Sequence, residues 1–257
     1  MQLVDNNESN PCIVIDNGSG YIKACFSDEE GSRSIFQTIA GYPKYPQVMI
    51  GNDNKDYYVG IDILIKRGLL ELNYPIEHGA IKNKDEMEKI WNYIFTYELR
   101  VAPEEHNVMI TEFSEYSKEN REFIVEEMFE TFNVPGLYII NPSMLPLYSH
   151  GKYTGFVLDL GDGITQFVPI FDGYRLPYND YFNFGGRDLT NYFRKLLNEN
   201  KYKFNKSKEF ELVNHIKEKA CYVALDYEEE LKSYYPFDYE LPDGNDLILS
   251  DQRIRVP

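Results

Sequence analysis

The sequence has few of the residues that build metal centres and disulfide frameworks. Its 257 residues include three cysteines and four histidines. Because no C-x-x-C pair occurs and the histidines do not cluster, neither a zinc site nor a disulfide framework is supported. The polar N-terminus lacks the basic and apolar regions of a secretory leader, and no apolar run reaches membrane-spanning length. These features predict a reduced, cytoplasmic protein.

Positive charge is also scarce. Lysine and arginine number 26 against 42 aspartates and glutamates, which gives a net charge of −16. Such a surface repels nucleic-acid backbones and anionic membranes, so we expect no nucleic-acid or membrane partner. An anion site in this chain has to be local, built from backbone amides and one or two lysines. The acidity also favours basic protein partners.

One pattern, an apolar run followed by an aspartate and two glycines, occurs at residues 13–20 and again at residues 157–163. Each copy leads into a second apolar run, so each predicts a β-hairpin with a glycine turn. Glycine allows positive φ and lets another group approach the backbone, and the N–H groups of such a turn suit an anion. The candidate residues are Asp16, Gly18, Ser19 and Gly20 in the first copy and Asp159, Gly161, Asp162 and Gly163 in the second.

A single copy of this pattern is typical of an ordinary hairpin, but two copies favour a shared ligand. If the two halves face each other, both turns grip one polyphosphate while Asp16 and Asp159 hold a hydrated Mg²⁺. Lys23, in the first hairpin, is either a solvated strand residue or a point charge for the anion. Strands that alternate with amphipathic helices predict an α/β fold, and the repeat suggests two related lobes around a cleft.

Other signals concern the segments between and after the hairpins. Asn83 and Glu86 predict a capping box at a helix start. His78 lies in a turn and is interpreted as structural rather than catalytic. Pro146 is expected to end or kink any helix after the strand at residues 136–141. A long helix is predicted at about residues 207–231.

Several long runs resemble the actin family, within the superfamily that also contains hexokinases and heat-shock chaperone ATPases. The resemblance extends from about residue 11 to the end of the sequence. The runs that carry it are Asp16 to Gly20, Tyr74 to Gly79, Met87 to Trp91, Glu98 to His106, Met128 to Asn133, Gly186 to Thr190, Ile216 to Lys219, Cys221 to Asp226 and Tyr239 to Gly244.

The resemblance implies a duplicated, ribonuclease H-like α/β fold with two lobes around a nucleotide cleft. Four subdomains are expected. The first large-lobe subdomain comprises residues 1–37 and 75–149, and a small subdomain with a contact loop comprises residues 38–74. A partial second large-lobe subdomain follows at 150–185, and a second small subdomain at 186–257. Relative to the family pattern, we expect the fold to be incomplete at its C-terminus and some apolar faces to be exposed.

The ligand implied by the resemblance is ATP or ADP with Mg²⁺ or Ca²⁺. The phosphate loops map onto the two glycine turns and Lys23, and the metal is held through water by Asp16 and Asp159. The loop at residues 44–54 corresponds to a subunit-contact loop with Val48, Met49 and Ile50 at its tip, although an ordered hairpin packed on its own lobe is the alternative. The implied adenosine contacts are Gly186, Arg187, Lys217 and Glu218.

Two departures from the family pattern concern hydrolysis. The family orients the attacking water with a glutamine and a histidine, and this sequence has Pro142 and Gln166 at those positions. Pro46 also stiffens the contact loop. We therefore expect a cytoplasmic, cytoskeletal protein that meets actin or actin-binding proteins, with weak or absent hydrolysis and impaired polymerisation. The alternatives are a slow filament-forming ATPase and a non-functional copy.

Overall fold

The computed structural model describes residues 10–45, 55–113, 118–178, 180–199, 202, 204 and 207–257. The chain divides into two compact units, residues 1–183 and 184–257. This boundary lies close to the predicted one at residue 185, while the finer division into four subdomains stays a prediction. Among the described residues, no helix is both long and apolar enough to cross a membrane.

Among its described residues, the first unit contains a five-stranded sheet, a four-stranded sheet, two two-stranded sheets and four α-helices. Its elements are β1 (Ile13–Asn17), β2 (Tyr21–Phe26), β3 (Ser34–Gln37), β4 (Ala40–Pro43), α1 (Ile61–Lys66), β5 (Leu70–Asn73), β6 (Ile76–Glu77), β7 (Ala80–Ile81), α2 (Lys84–Tyr93), β8 (Val108–Thr111), α3 (Lys118–Glu126), β9 (Leu137–Ile140), α4 (Met144–Ser149), β10 (Gly155–Leu160), β11 (Thr165–Phe171), β12 (Tyr174–Arg175) and β13 (Asp180–Phe182).

The larger sheet has the strand order β3-β2-β1-β8-β9. The predicted first hairpin is confirmed, because β1 pairs antiparallel with β2. On its other side β1 runs parallel to β8, which runs parallel to β9. Ile15 of β1 and Ile110 of β8 are fully buried, as expected of central strands. The parallel arrangement brings the carboxyl ends of β1, β8 and β9 to one edge of the sheet.

Helix α2 covers this sheet and begins where the sequence predicts. The side chain of Asn83 accepts a hydrogen bond from the Glu86 backbone N–H at 3.2 Å, which satisfies one of the unpaired donors of the first turn. Trp91 is fully buried and stacks on Phe123 of α3, with ring centroids 5.7 Å apart. A π-helical turn over residues 94–99 extends α2.

The predicted second hairpin is also confirmed, since β10 pairs antiparallel with β11 and places Asp159 opposite Gln166. Both β12 and β13 pair with β11. Helix α4 precedes this sheet, and the expectation that Pro146 would end or kink a helix there is wrong. Pro146 lies in the first turn of α4, where a backbone N–H has no partner within the helix, so proline removes no bond.

In the described part of the second unit there are four helices and one hairpin. The prediction of one helix over residues 207–231 is wrong, because this segment forms two helices separated by a break at residues 221–226. The Asp226 side chain accepts from the Glu229 N–H at 3.0 Å and so starts a new helix. The elements are α5 (Gly186–Glu199), α6 (Ser207–Ala220), α7 (Tyr227–Ser233), β14 (Phe237–Glu240), β15 (Asp246–Leu249) and α8 (Gln252–Arg255).

The cap of α2 yields a stability prediction. Replacement Asn83→Ala removes the acceptor for the Glu86 N–H and should lower the free energy of unfolding by about 1 kcal/mol. Trp91 is the single tryptophan of the sequence and lies on α2, so its fluorescence during urea denaturation reports this change directly. Asn83→Asp keeps a capping oxygen and is the control. Equal losses in both variants would contradict a capping role.

Candidate functional site

A cavity of about 870 Å³ lies in the first unit, bordered by the carboxyl ends of its parallel strands. Asp16 comes from β1, Thr111 from the end of β8, and Pro142 from just beyond β9. Open α/β sheets bind ligands outside the carboxyl ends of their strands, where the chain leaves the sheet and side chains converge. The position of the cavity therefore follows from the parallel pairing of β1, β8 and β9.

Both predicted glycine turns line this one cavity. The loop between β1 and β2 contributes residues 18–20, and the loop between β10 and β11 contributes residues 161–163. Asp16, Lys23 and Asp159 line it as well. The structure thus brings to one cavity the nine residues of the two hairpins for which the sequence predicts phosphate or metal contacts.

The two turns touch each other so closely that side chains would not fit. A Cβ built on Gly20 would lie 2.8 Å from the Cβ of Asp162, and one on Gly163 would lie 2.6 Å from Ser19 Oγ. In the described structure none of the four turn glycines has positive φ. The expectation of positive φ is therefore wrong here, and the glycines are required by close approach.

A third turn, which contains the predicted structural histidine, joins the two glycine turns. His78 Nδ1 lies 2.8 Å from the Gly163 carbonyl oxygen, and because a carbonyl only accepts, Nδ1 carries the hydrogen and donates. The Gly79 N–H donates to Ser19 Oγ at 3.0 Å. Hydrogen bonds from one short segment therefore reach both glycine turns.

Asp16 belongs to a hydrogen-bond network that fixes its orientation. Its carboxylate pairs with Lys23 Nζ at 3.0 Å and accepts from Thr111 Oγ1 at 2.9 Å. Thr111 Oγ1 in turn accepts from the Asn17 N–H at 2.8 Å, and Asn17 Oδ1 accepts from Trp91 Nε1. The lysine side chain is about half exposed, so its charge stands at the cavity rather than in the core.

Asp159 is held by its cross-strand neighbour. Gln166 Nε2 donates to Asp159 Oδ2 at 2.8 Å, and the Gln166 side chain is only 2% exposed. The other amide atom, Gln166 Oε1, is buried without a hydrogen-bond partner among the described residues. Nearby in sequence, Asn141 Nδ2 and Ser143 Oγ on either side of Pro142 are likewise buried without a partner there.

One buried carboxyl on the cavity wall was not anticipated from the sequence. Glu112 follows β8, is 9% exposed, and forms an ion pair with Arg121 Nε at 3.1 Å. Burial raises the pKa of the Glu112 carboxyl, and the Arg121 guanidinium opposes that rise. Neither Glu112 nor Thr111 has a local sequence signal, because both reach the cavity through parallel strand pairing.

Carboxylates of the kind that bind a hydrated divalent cation border the cavity. Among the described residues, no group of three or more histidine, cysteine, aspartate or glutamate side chains is arranged to hold a metal ion. Mg²⁺ retains several waters in proteins and needs only one or two carboxylates. Asp16 and Asp159 supply two carboxylates to one cavity.

The predicted adenosine residues lie in the second unit, and the structure brings two of them together. Lys217 Nζ donates to the Gly186 carbonyl at 2.8 Å and to Thr190 Oγ1 at 2.8 Å. Glu218 accepts from Asn214 Nδ2 at 2.9 Å. The adenosine role of these residues and of Arg187 stays a prediction. The predicted contact residues Val48, Met49 and Ile50 lie outside the described residues.

The chain was compared with models of known protein families. The family model described as actin matches residues 7–257, which is nearly the whole sequence. The match spans both glycine turns, the histidine turn and the second unit. Together with the α/β architecture, it shows that the chain belongs to the actin family.

Proposed function

We propose that the protein is an actin-like, nucleotide-binding component of the cytoskeleton that holds ATP or ADP with Mg²⁺ or Ca²⁺ and hydrolyses ATP weakly or not at all. The observation that carries this proposal is that both glycine turns and their aspartates line one cavity. Its volume falls within the range of small-molecule sites. The proposal includes the two-lobed cleft that the family resemblance implies.

Local chemistry supports anion binding despite the net charge of −16. Backbone N–H groups in tight turns create a concave site that attracts phosphate oxygens without a basic surface. Lys23 adds one positive charge, and its pairing with Asp16 holds it at the cavity. A divalent cation between Asp16 and Asp159 would neutralise further phosphate charge, which is what a polyphosphate needs in an acidic protein.

Weak hydrolysis is proposed because the groups that would orient a water molecule are replaced. Phosphoryl transfer depends on positioning the nucleophile as much as on holding the phosphate. Pro142 has no side-chain donor or acceptor. Gln166 has an amide that does not accept a proton near neutral pH, and its nitrogen is already engaged by Asp159. Neither residue supplies general-base assistance.

A slow ATPase is the second candidate, and one observation favours it. Gln166 Oε1 is buried and has no partner among the described residues. A water bound to this oxygen would satisfy it, and a water held at the cavity wall would be the reactant that hydrolysis requires. The two candidates differ in whether that water lies in line with the terminal phosphate.

Partners and assembly follow from charge and family membership. Actin and actin-binding proteins are the proposed partners, at the cytoskeleton in the cytoplasm. The negative charge that the chain carries opposes the association of identical copies. Pro46 restricts the backbone of the segment that corresponds to the contact loop. Poor self-assembly is therefore part of the proposal.

Nucleotide binding is tested by calorimetry with Mg-ATP. The wild-type chain should bind, and Asp159→Asn should weaken binding by about tenfold or more, because one carboxylate that orients the cation's water is lost. Asp172→Asn is the matched control, since Asp172 lies in the turn after β11 and does not border the cavity. Chelation of the divalent cation should also weaken binding. Equal affinities of both variants would contradict the site.

Hydrolysis is tested by phosphate release from the nucleotide-bound protein. The double replacement Pro142→Gln with Gln166→His should raise turnover by about a hundredfold or more, the usual contribution of a positioned proton acceptor. Pro142→Gln alone is the control, because it adds the amide without adding a proton acceptor. Wild-type turnover as fast as that of filament actin would reject weak hydrolysis.

Self-assembly is tested by ultracentrifugation of the purified chain in magnesium and moderate salt. We expect no sedimentable polymer, because like-charged copies repel and the contact-loop segment carries a proline. Higher ionic strength screens charge repulsion, so the same measurement is repeated across a salt series. Long filaments of this chain alone would contradict the proposal.

A further inference from the structure

Thr38 makes two hydrogen bonds to the first glycine turn. It follows β3 directly, and its side chain is fully buried. Its hydroxyl donates to the Gly18 carbonyl oxygen at 2.8 Å, and its backbone N–H donates to the Gly20 carbonyl oxygen at 3.0 Å. Gly18 and Gly20 line the cavity, whereas Thr38 is not among the described residues that do. Thr38 therefore contacts the turn without bordering the cavity.

A buried threonine usually needs one hydrogen-bond partner, and any nearby carbonyl would serve. The arrangement here is more specific, because Thr38 donates twice to one turn. Its hydroxyl donates to the carbonyl of Gly18 and its backbone N–H to the carbonyl of Gly20, so the carbonyl of Ser19 is skipped. The register of β2 with β3 pairs Tyr21 with Gln37, so Thr38 continues the ladder over the turn itself. Strand pairing therefore sets the bond from the Thr38 N–H to Gly20, whereas the bond to Gly18 depends on the Thr38 hydroxyl.

The direction of these two carbonyls matters for an anion. A carbonyl oxygen carries negative partial charge and repels a phosphate oxygen, whereas a backbone N–H attracts it. Because the trans peptide is planar, the carbonyl of one residue and the N–H of the next point in opposite directions. Holding the oxygens of Gly18 and Gly20 on the Thr38 side fixes the directions of the two peptide planes that follow them.

We propose that Thr38 is a positioning residue for the phosphate site, in that its hydroxyl keeps the Gly18 carbonyl out of the cavity and thereby sets the affinity for polyphosphate. This inference rests on the proposed nucleotide binding and goes beyond it by assigning a role to a residue that touches no ligand. It also predicts that Thr38 affects binding of the phosphates and not binding of the nucleoside.

The test compares Thr38→Val, which keeps the shape and removes the hydroxyl, with Thr38→Ser, which keeps the hydroxyl. Calorimetry with Mg-ATP, with magnesium tripolyphosphate and with adenosine separates the parts of the ligand. Thr38→Val should bind Mg-ATP and tripolyphosphate about fivefold to tenfold more weakly, the usual effect of one lost hydrogen bond. Adenosine affinity should not change, and Thr38→Ser should stay within about twofold of wild type.

If Thr38→Val is unfolded, Thr38→Ser is compared with Thr38→Ala instead. These two variants differ only in the hydroxyl group, and neither carries the methyl groups of valine. Trp91 fluorescence shows whether each variant is folded. Unchanged polyphosphate affinity in a folded variant without the hydroxyl would overturn the role of Thr38 and leave the proposed function standing. An equal loss for adenosine would also overturn it, as general destabilisation. Failure of the wild type to bind Mg-ATP or tripolyphosphate would overturn both proposals.

Discussion

The contact between the two glycine turns is the constraint on which the cavity depends. Side-chain atoms at Gly20 or Gly163 would come within 3 Å of Asp162 or Ser19, so neither turn tolerates a larger residue without moving the other. This contact fixes the separation of the two hairpins, and hence of the aspartates that precede the turns. The bond from His78 to Gly163 closes the arrangement from a third segment. Close approach of neighbouring atoms, rather than unusual dihedral angles, explains the glycines.

Local patterns predicted the elements that carry this contact. Each hairpin follows from two apolar runs around a glycine turn, and the start of α2 follows from Asn83 placed three residues before Glu86. These signals work because the interactions involved join residues close in sequence. The break before α7 had such a signal too, since Asp226 and Glu229 have the same spacing. Pro146 lies in the first turn of α4, where the rule that proline breaks helix interiors does not apply.

The remaining parts of the site could not be predicted from local patterns. Thr111 reaches Asp16 only because β8 lies parallel to β1, and the two residues are 95 positions apart. Glu112 reaches the cavity wall for the same reason. Thr38 reaches the first glycine turn because the backbone ladder continues past the end of β3, which no composition or periodicity indicates. Parallel pairing and ladder extension are decided by the packing of the whole unit.

In the proposed site, the residues that would hold a nucleotide differ from the residues that would orient the attacking water, and the proposed function depends on this difference. Interactions made equally with substrate and transition state tighten binding without raising turnover. The proposed contacts of the glycine turns and the two aspartates would be interactions of this kind, whereas the family resemblance puts Pro142 and Gln166 at the positions that would orient the water. The hydrogen bond from Gln166 restrains the orientation of the Asp159 carboxylate. A nucleotide bound in the proposed site would stabilise the folded chain by mass action, since the unfolded chain has no such cavity.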